Sequence, residues 1–231
     1  MLLEIAKKSM FFQNLVVKVV GGIHPMIEHN LAKTEMLKRA LFNCHLEEIE
    51  GSYFEFGIYE GTSLYSAINM HKKHFSSIKR NFYGFDSFDD GFKYFDDKDK
   101  HPFFKEGDFK SSYSKVVKRF RKFQNIKLIK GYFEESIANK HPKEISGNDK
   151  CAIIFIDTDL MNPSLIALEF ILPILQKGSV LILDDYFAYR GDSTKGTSGA
   201  LKTFLQKHPS VTVREYYKYG HGGNSFIIET V

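Results

Sequence analysis

The chain has 231 residues, 43% of them hydrophobic and 26% charged, which suits one globular domain with a full core and leaves little room for two. This balance excludes collagen-like, disordered and coiled-coil classes. Lys and Arg number 32 against 28 Asp and Glu, a formal charge of +4, too small and too interspersed to point to nucleic acid. Two cysteines, Cys44 and Cys151, lie far apart without metal-ligand spacing, so neither a disulfide framework nor a zinc site is expected and a cytoplasmic location is the default. The most membrane-like stretch, residues 10–22, is short and contains Gln13, Asn14 and Lys18. Neither a signal peptide nor a membrane span is expected from it.

In chain order, residues 1–50 lack strand-like alternation and contain two helix-compatible stretches, 2–20 and about 26–44, parted by Gly21-Gly22 and Pro25. They are predicted to form a helical N-terminal cap, with the main domain at 51–231. From Gly51 onward five short apolar runs, 53–56, 82–85, 126–129, 152–156 and 180–183, alternate with helical stretches. Such alternation predicts a doubly wound α/β fold, a parallel sheet covered on both faces. A helix at about 199–207, a run at 211–217, a Gly-rich turn at 220–223 and a run at 225–229 follow. The last two runs read as a hairpin, which makes one edge of a seven-stranded, mostly parallel sheet antiparallel. Residues 114–123 read as an amphipathic surface helix, and the charged, aromatic stretch 89–110 reads either as a lid or as a solvated insertion.

Four strand ends carry chemistry. The first run ends in Glu55-Phe56-Gly57, and Gly61, Thr62 and Ser63 then open a helix. Glycines at such a turn let a ligand approach the helix N-terminal amides, and the Gly-x-x-x-Gly spacing is not that of a dinucleotide pyrophosphate loop. The second run ends in Asp86, placed as an acceptor for both ribose hydroxyls; the alternative is a turn-starting or capping Asp. The fourth run delivers Asp157-Thr158-Asp159 and the fifth Asp184-Asp185. Adjacent parallel strands lie about 4.8 Å apart, so these carboxylates converge on one rim. A hard divalent cation would relieve their repulsion, with magnesium, manganese or calcium favoured over zinc by oxygen-only ligands. Pairing with Lys or Arg, or helix capping, is the alternative.

Taken together, FEFGIYEGTS, YGFDSFDDGF, KLIKGYFEES, FIDTDLMNPSLIALEFILPIL and GSVLILDDYF resemble the macrocin O-methyltransferase (TylF) family of class I S-adenosylmethionine-dependent methyltransferases, which act on sugar hydroxyls. The resemblance runs from about residue 51 to 187 and implies a Rossmann-like methyltransferase domain. It implies that Glu55, Gly57, Gly61 and Ser63 line the methionine end of S-adenosylmethionine, that Asp86 takes the ribose, and that Tyr132 and Phe133 lie near the adenine. It further implies that Asp157, Asp184 and Asp185 hold Mg2+ or another divalent cation. The chain departs from the family in having Thr158 between the two acidic residues, and Met161-Asn162-Pro163-Ser164 where a Tyr-Glu-Ser-Thr run is common. The acceptor pocket is therefore the least transferable part.

Methyl transfer from a sulfonium needs an in-line acceptor oxygen made nucleophilic. Asp159 is the nearest candidate base by sequence, and His221 in the Gly-rich turn is the other. The expected acceptor is a small-molecule or nucleotide-linked sugar; a homo-oligomer is compatible with the sequence, and no nucleic-acid partner is expected. The competing reading is a metal-dependent nucleotide-sugar glycosyltransferase, which also uses Asp-x-Asp after a strand. The Gly-x-x-x-Gly turn and the upstream Asp86 weigh against it.

Overall fold

The computed structural model describes residues 9–93 and 99–231. The start of the first expected helix, residues 2–8, and residues 94–98 of the expected lid lie outside the described residues. Helix α1 (Met10–Gly21) begins after Ser9, whose hydroxyl accepts from the Phe12 amide, and buries none of its residues. Helix α2 (Pro25–Leu46) has proline in its first turn, where a missing N–H costs nothing, and His24 as its N-cap. The two helices meet at 89°, and no single helix among the described residues is long and apolar enough to cross a membrane.

Strands β1 (Ser52–Phe56), β2 (Phe82–Asp86), β3 (Ile126–Lys130), β4 (Cys151–Ile156), β5 (Val180–Leu183), β6 (Thr212–Tyr219) and β7 (Gly223–Thr230) form one sheet in the order β3-β2-β1-β4-β5-β7-β6. The first five are parallel, and β7 runs antiparallel to both β5 and β6. The Rossmann-like doubly wound fold is therefore as expected. The hairpin strands run closer to their turn than the apolar pattern suggests, because Tyr219 and Asn224 are buried at its end.

Alternation along the strands builds two cores. Phe54 and Phe56 of β1 join Ile154 and Ile156 of β4 on one face, under α5 (Phe133–Ser136), α7 (Met161–Ile171) and α8 (Gly196–Lys207). Tyr53 of β1 joins Ile153 and Phe155 of β4 on the other, under α2, α3 (Thr62–His74) and α4 (Tyr113–Phe120). Each large apolar side chain so buried contributes about 1.5–3 kcal/mol. A short helix, α6 (Lys143–Ser146), leads into β4. The apolar stripe of α2 (Met36, Leu37, Ala40, Leu41 and Cys44) packs into the second core, and its N-terminal half is thereby laid along the carboxyl ends of the strands, where His29 is also buried.

Candidate active site

Strand order reverses between β1 and β4, and in open α/β sheets ligands bind in the crevice at such a point. Register brings the four chemical strand ends to that crevice. Phe56 pairs with Phe85 and with Ile156, and Ile156 pairs with Leu183. The next hydrogen bonds are Gly57 N to Phe85 O at 2.8 Å, Asp157 N to Phe56 O at 2.8 Å and Asp184 N to Ile156 O at 3.0 Å. Gly57 has φ +87° and its missing Cβ would overlap the Asp157 carbonyl, so no other residue fits. Gly61, at φ +76°, is the N-cap of α3 and lies against the Phe120 ring.

Glu55 is fully buried on the face it shares with Tyr53. The Tyr53 hydroxyl donates to it at 2.5 Å and the Ser63 hydroxyl donates to its other oxygen. Burial pushes its carboxyl up to about 7 against the pull of those donors. Asp86 is buried as well and ties the glycine turn to β2. It accepts from Tyr59 N at 2.8 Å and from Phe88 N at 2.6 Å. Burial raises it, with these amides working the other way. Each carboxylate oxygen has two lone pairs, so these bonds leave capacity for a ligand hydroxyl.

The acidic rim is denser than spacing alone conveys. One oxygen from each of Asp157, Asp184 and Asp185 lies within 4.8 Å of the others. Lys33 of α2 reaches into the cluster, with its ammonium 2.8 Å from Asp157 Oδ2 and 2.6 Å from Asp184 Oδ2. His29, one turn earlier on the same face, sits 3.1 Å from Asp184 Oδ2, and the Tyr219 hydroxyl donates to Asp184 Oδ1 at 2.7 Å. His29 Nδ1 accepts from the His221 amide at 3.2 Å, so the proton is on Nε2, facing Asp184. Gly220 makes this approach feasible, since a Cβ there would overlap the His29 ring.

Burial works to raise Asp184, yet Lys33 and His29 hold it well below the usual carboxylate range. Burial and the nearby Asp184 push Asp157 well up, and burial followed by Asp185 does the same to Asp159. Asp159, in the left-handed region at φ 61°, is hydrogen-bonded through its side chain to Asp185. Two carboxyl groups in contact share one proton or one cation. Asp157, Asp184 and Asp185 thus converge around the ammonium of Lys33, a set of hard oxygen donors that fits a divalent cation.

The other expected residues are spread around this rim. Tyr132 is half-buried and its hydroxyl reaches the Asp90 carbonyl at 3.4 Å; Phe133 is buried edge-on against Phe56. His221 directs Nε2 to the Pro25 carbonyl at 2.8 Å, with His29 standing between its backbone and Asp184. The described flanks of the 89–110 stretch are tied down. Ser111 donates to the Tyr59 carbonyl at 2.7 Å, while the buried Asp99 accepts from the Met161 and Asn162 amides at 2.8 and 3.3 Å, capping α7 from across the crevice. His29, Lys33 and Tyr219 escape a motif search. The signal for the first two is a pair of polar residues four apart, leading into the apolar stripe of α2.

Residues 22–208 match the macrocin-O-methyltransferase (TylF) family. The chain belongs to that family. Membership makes it an S-adenosylmethionine-dependent O-methyltransferase and sets aside the glycosyltransferase alternative. Among solved structures, the O-methyltransferase NovP superposes with a TM-score of 0.65 at 16% identity, covering 87% of this chain and 80% of NovP. The calicheamicin methyltransferase CalS11 gives 0.69 at 19% identity, covering 98% of this chain and 89% of CalS11. An O-methyltransferase from Bacillus cereus in complex with SAH gives 0.54 at 13%, covering 85% and 81%. At these identities the likeness is one of fold. No curated protein sequence matches the chain.

Proposed function

We propose that this methyltransferase acts on a hydroxyl of a sugar, free in a small molecule or linked to a nucleotide, and that it depends on a divalent cation, magnesium first. The observation that carries the reading is the carboxylate rim of Asp157, Asp184 and Asp185 placed beside the Gly57 turn and Asp86 at the switch point of the sheet. CalS11, described as a TDP-rhamnose 3'-O-methyltransferase, shares the fold along nearly the whole chain, which supports a deoxysugar nucleotide as the first acceptor to try. Two buried free thiols, Cys44 and Cys151, support a cytoplasmic setting.

In this reading Asp86 accepts from the ribose hydroxyls of S-adenosylmethionine while Glu55, Gly57, Gly61 and Ser63 hold its methionine end. Tyr132 and Phe133, the latter anchored on Phe56, lie near the adenine. Asp157, Asp184 and Asp185 hold the cation, which when bound lowers the pKa of an acceptor hydroxyl and orients a vicinal pair. Asp159 takes the acceptor proton as the C–O bond forms and the S–C bond breaks, leaving the electron pair on sulfur in S-adenosylhomocysteine. With the cation held on Asp185, Asp159 would no longer keep the proton the two carboxyls otherwise share and would be free to accept this one. His221, held at the Pro25 carbonyl, is the second candidate base.

Calorimetry with S-adenosylmethionine and S-adenosylhomocysteine, with and without magnesium, is the direct test, followed by methyl transfer to TDP-rhamnose. Both nucleosides should bind, and transfer should stop on chelation and return with magnesium. Asp184→Asn should lower turnover far more than cofactor affinity, because the cofactor is held by the first two strand ends. Full transfer after thorough chelation overturns the cation; absence of cofactor binding overturns the pocket.

A further inference from the structure

We infer that Lys33 is a tethered cation competing with the divalent ion for the acidic rim, so that loading the metal releases the N-terminal half of α2 from the site. The inference rests on the metal reading proposed above and extends it to a residue that no strand end supplies.

The geometry leaves little alternative. Lys33 Nζ touches Oδ2 of Asp157 and Oδ2 of Asp184, two of the three carboxylates whose oxygens converge. Asp184 Oδ2 already carries two donors, Lys33 and His29, while Oδ1 accepts from Tyr219 alone. A magnesium ion bonds carboxylate oxygen at about 2.1 Å. Bound to either of these Oδ2 atoms, it would lie within about 5 Å of the ammonium, two cations in a half-buried site where their repulsion is poorly screened. Lys33 is mounted to leave. Its neighbours Leu31 and Thr34 are exposed, and before the continuous stripe that starts at Met36 only His29 and Ala32 of α2 pack inward. His29 lies on the same stretch and holds the same oxygen, so a displacement of this stretch would loosen both contacts with Asp184. The consequence is a coupling between ion occupancy and the position of residues 25–33 beside the crevice.

The test uses the full chain, Mn2+ as the probe and no acceptor. Mn2+ affinity is measured by electron paramagnetic resonance for the wild type, Lys33→Met and Lys33→Gln, and S-adenosylhomocysteine is titrated in the same samples. Removing the tethered charge should tighten Mn2+ binding by about tenfold or more. Saturating Mn2+ should also speed hydrogen exchange of residues 25–33 in the wild type, a readout that needs no variant to fold. Unchanged or weaker Mn2+ binding in folded variants overturns the inference while leaving the metal reading in place, as does exchange that slows or does not respond. Absence of Mn2+ binding in all three proteins overturns both, and S-adenosylhomocysteine binding in those samples then keeps the methyltransferase pocket standing.

Discussion

Glu55 offers a quantitative test of how the site is built, through the substitution Glu55→Gln. The carboxyl is fully buried, and burial raises it from 4.5 to about 7 although Ser63 and Tyr53 both donate to it. The folded chain therefore keeps a proton that the unfolded chain releases between those values. A raised folded-state pKa stabilises below the unfolded value and loses that contribution as pH rises through the folded one. The shift, 7 minus 4.5, amounts to on the order of 3 kcal/mol lost by the wild type between about pH 4.5 and pH 7. Glutamine is nearly isosteric, does not titrate, and can accept from one hydroxyl while donating to the other. Urea denaturation of both proteins in half-unit pH steps cancels, in the difference, the titrating groups that do not interact with Glu55. The stability of Glu55→Gln relative to wild type should rise across this window by on the order of 3 kcal/mol, whatever its value at the acid end. A difference that stays level across the window would refute the assignment of a buried, proton-retaining carboxyl.

Three further outcomes follow from neighbouring features. Asp86→Ala should weaken S-adenosylhomocysteine binding by about 1.5–3 kcal/mol, the scale of hydrogen bonds to a charged group, and unchanged affinity by calorimetry in a folded variant would remove Asp86 from the pocket. Gly57→Ala forces a Cβ onto the Asp157 carbonyl at φ +87° and should cost about 3 kcal/mol or more in chemical denaturation; wild-type stability would show that the β1 turn is not packed against β4. Asp99→Ala removes the carboxylate that caps α7 and should cost about 0.5–2 kcal/mol while speeding hydrogen exchange at Met161 and Asn162. Unaltered exchange there would mean the cap does not hold in solution.

Much of this protein follows from local pattern. Apolar runs of four or five residues between helical stretches specify a parallel sheet, since strands buried on both faces read that way. Acidic residues at the ends of such runs face the rim because the chain must leave the sheet there, and this makes Asp86, Asp157 and Asp184 legible without coordinates. The glycine turn is legible too, because Gly57 and Gly61 meet steric needs set within a few residues of themselves. Tertiary structure alone decided what neutralises the rim. Lys33 and Asp157 are 124 residues apart in the chain, and Tyr219 arrives from a hairpin at the far end. Their meeting depends on how the apolar stripe of α2 docks on the sheet. The protonation of Glu55 was likewise hidden: it occupies a core-facing position in β1 by simple alternation, and only the helices packed over it determine that its charge has lost water. Strand ends are dictated by periodicity within a segment, whereas a counter-ion is dictated by the packing of segments distant in sequence, and a single helix face carries no record of which carboxylate it will meet.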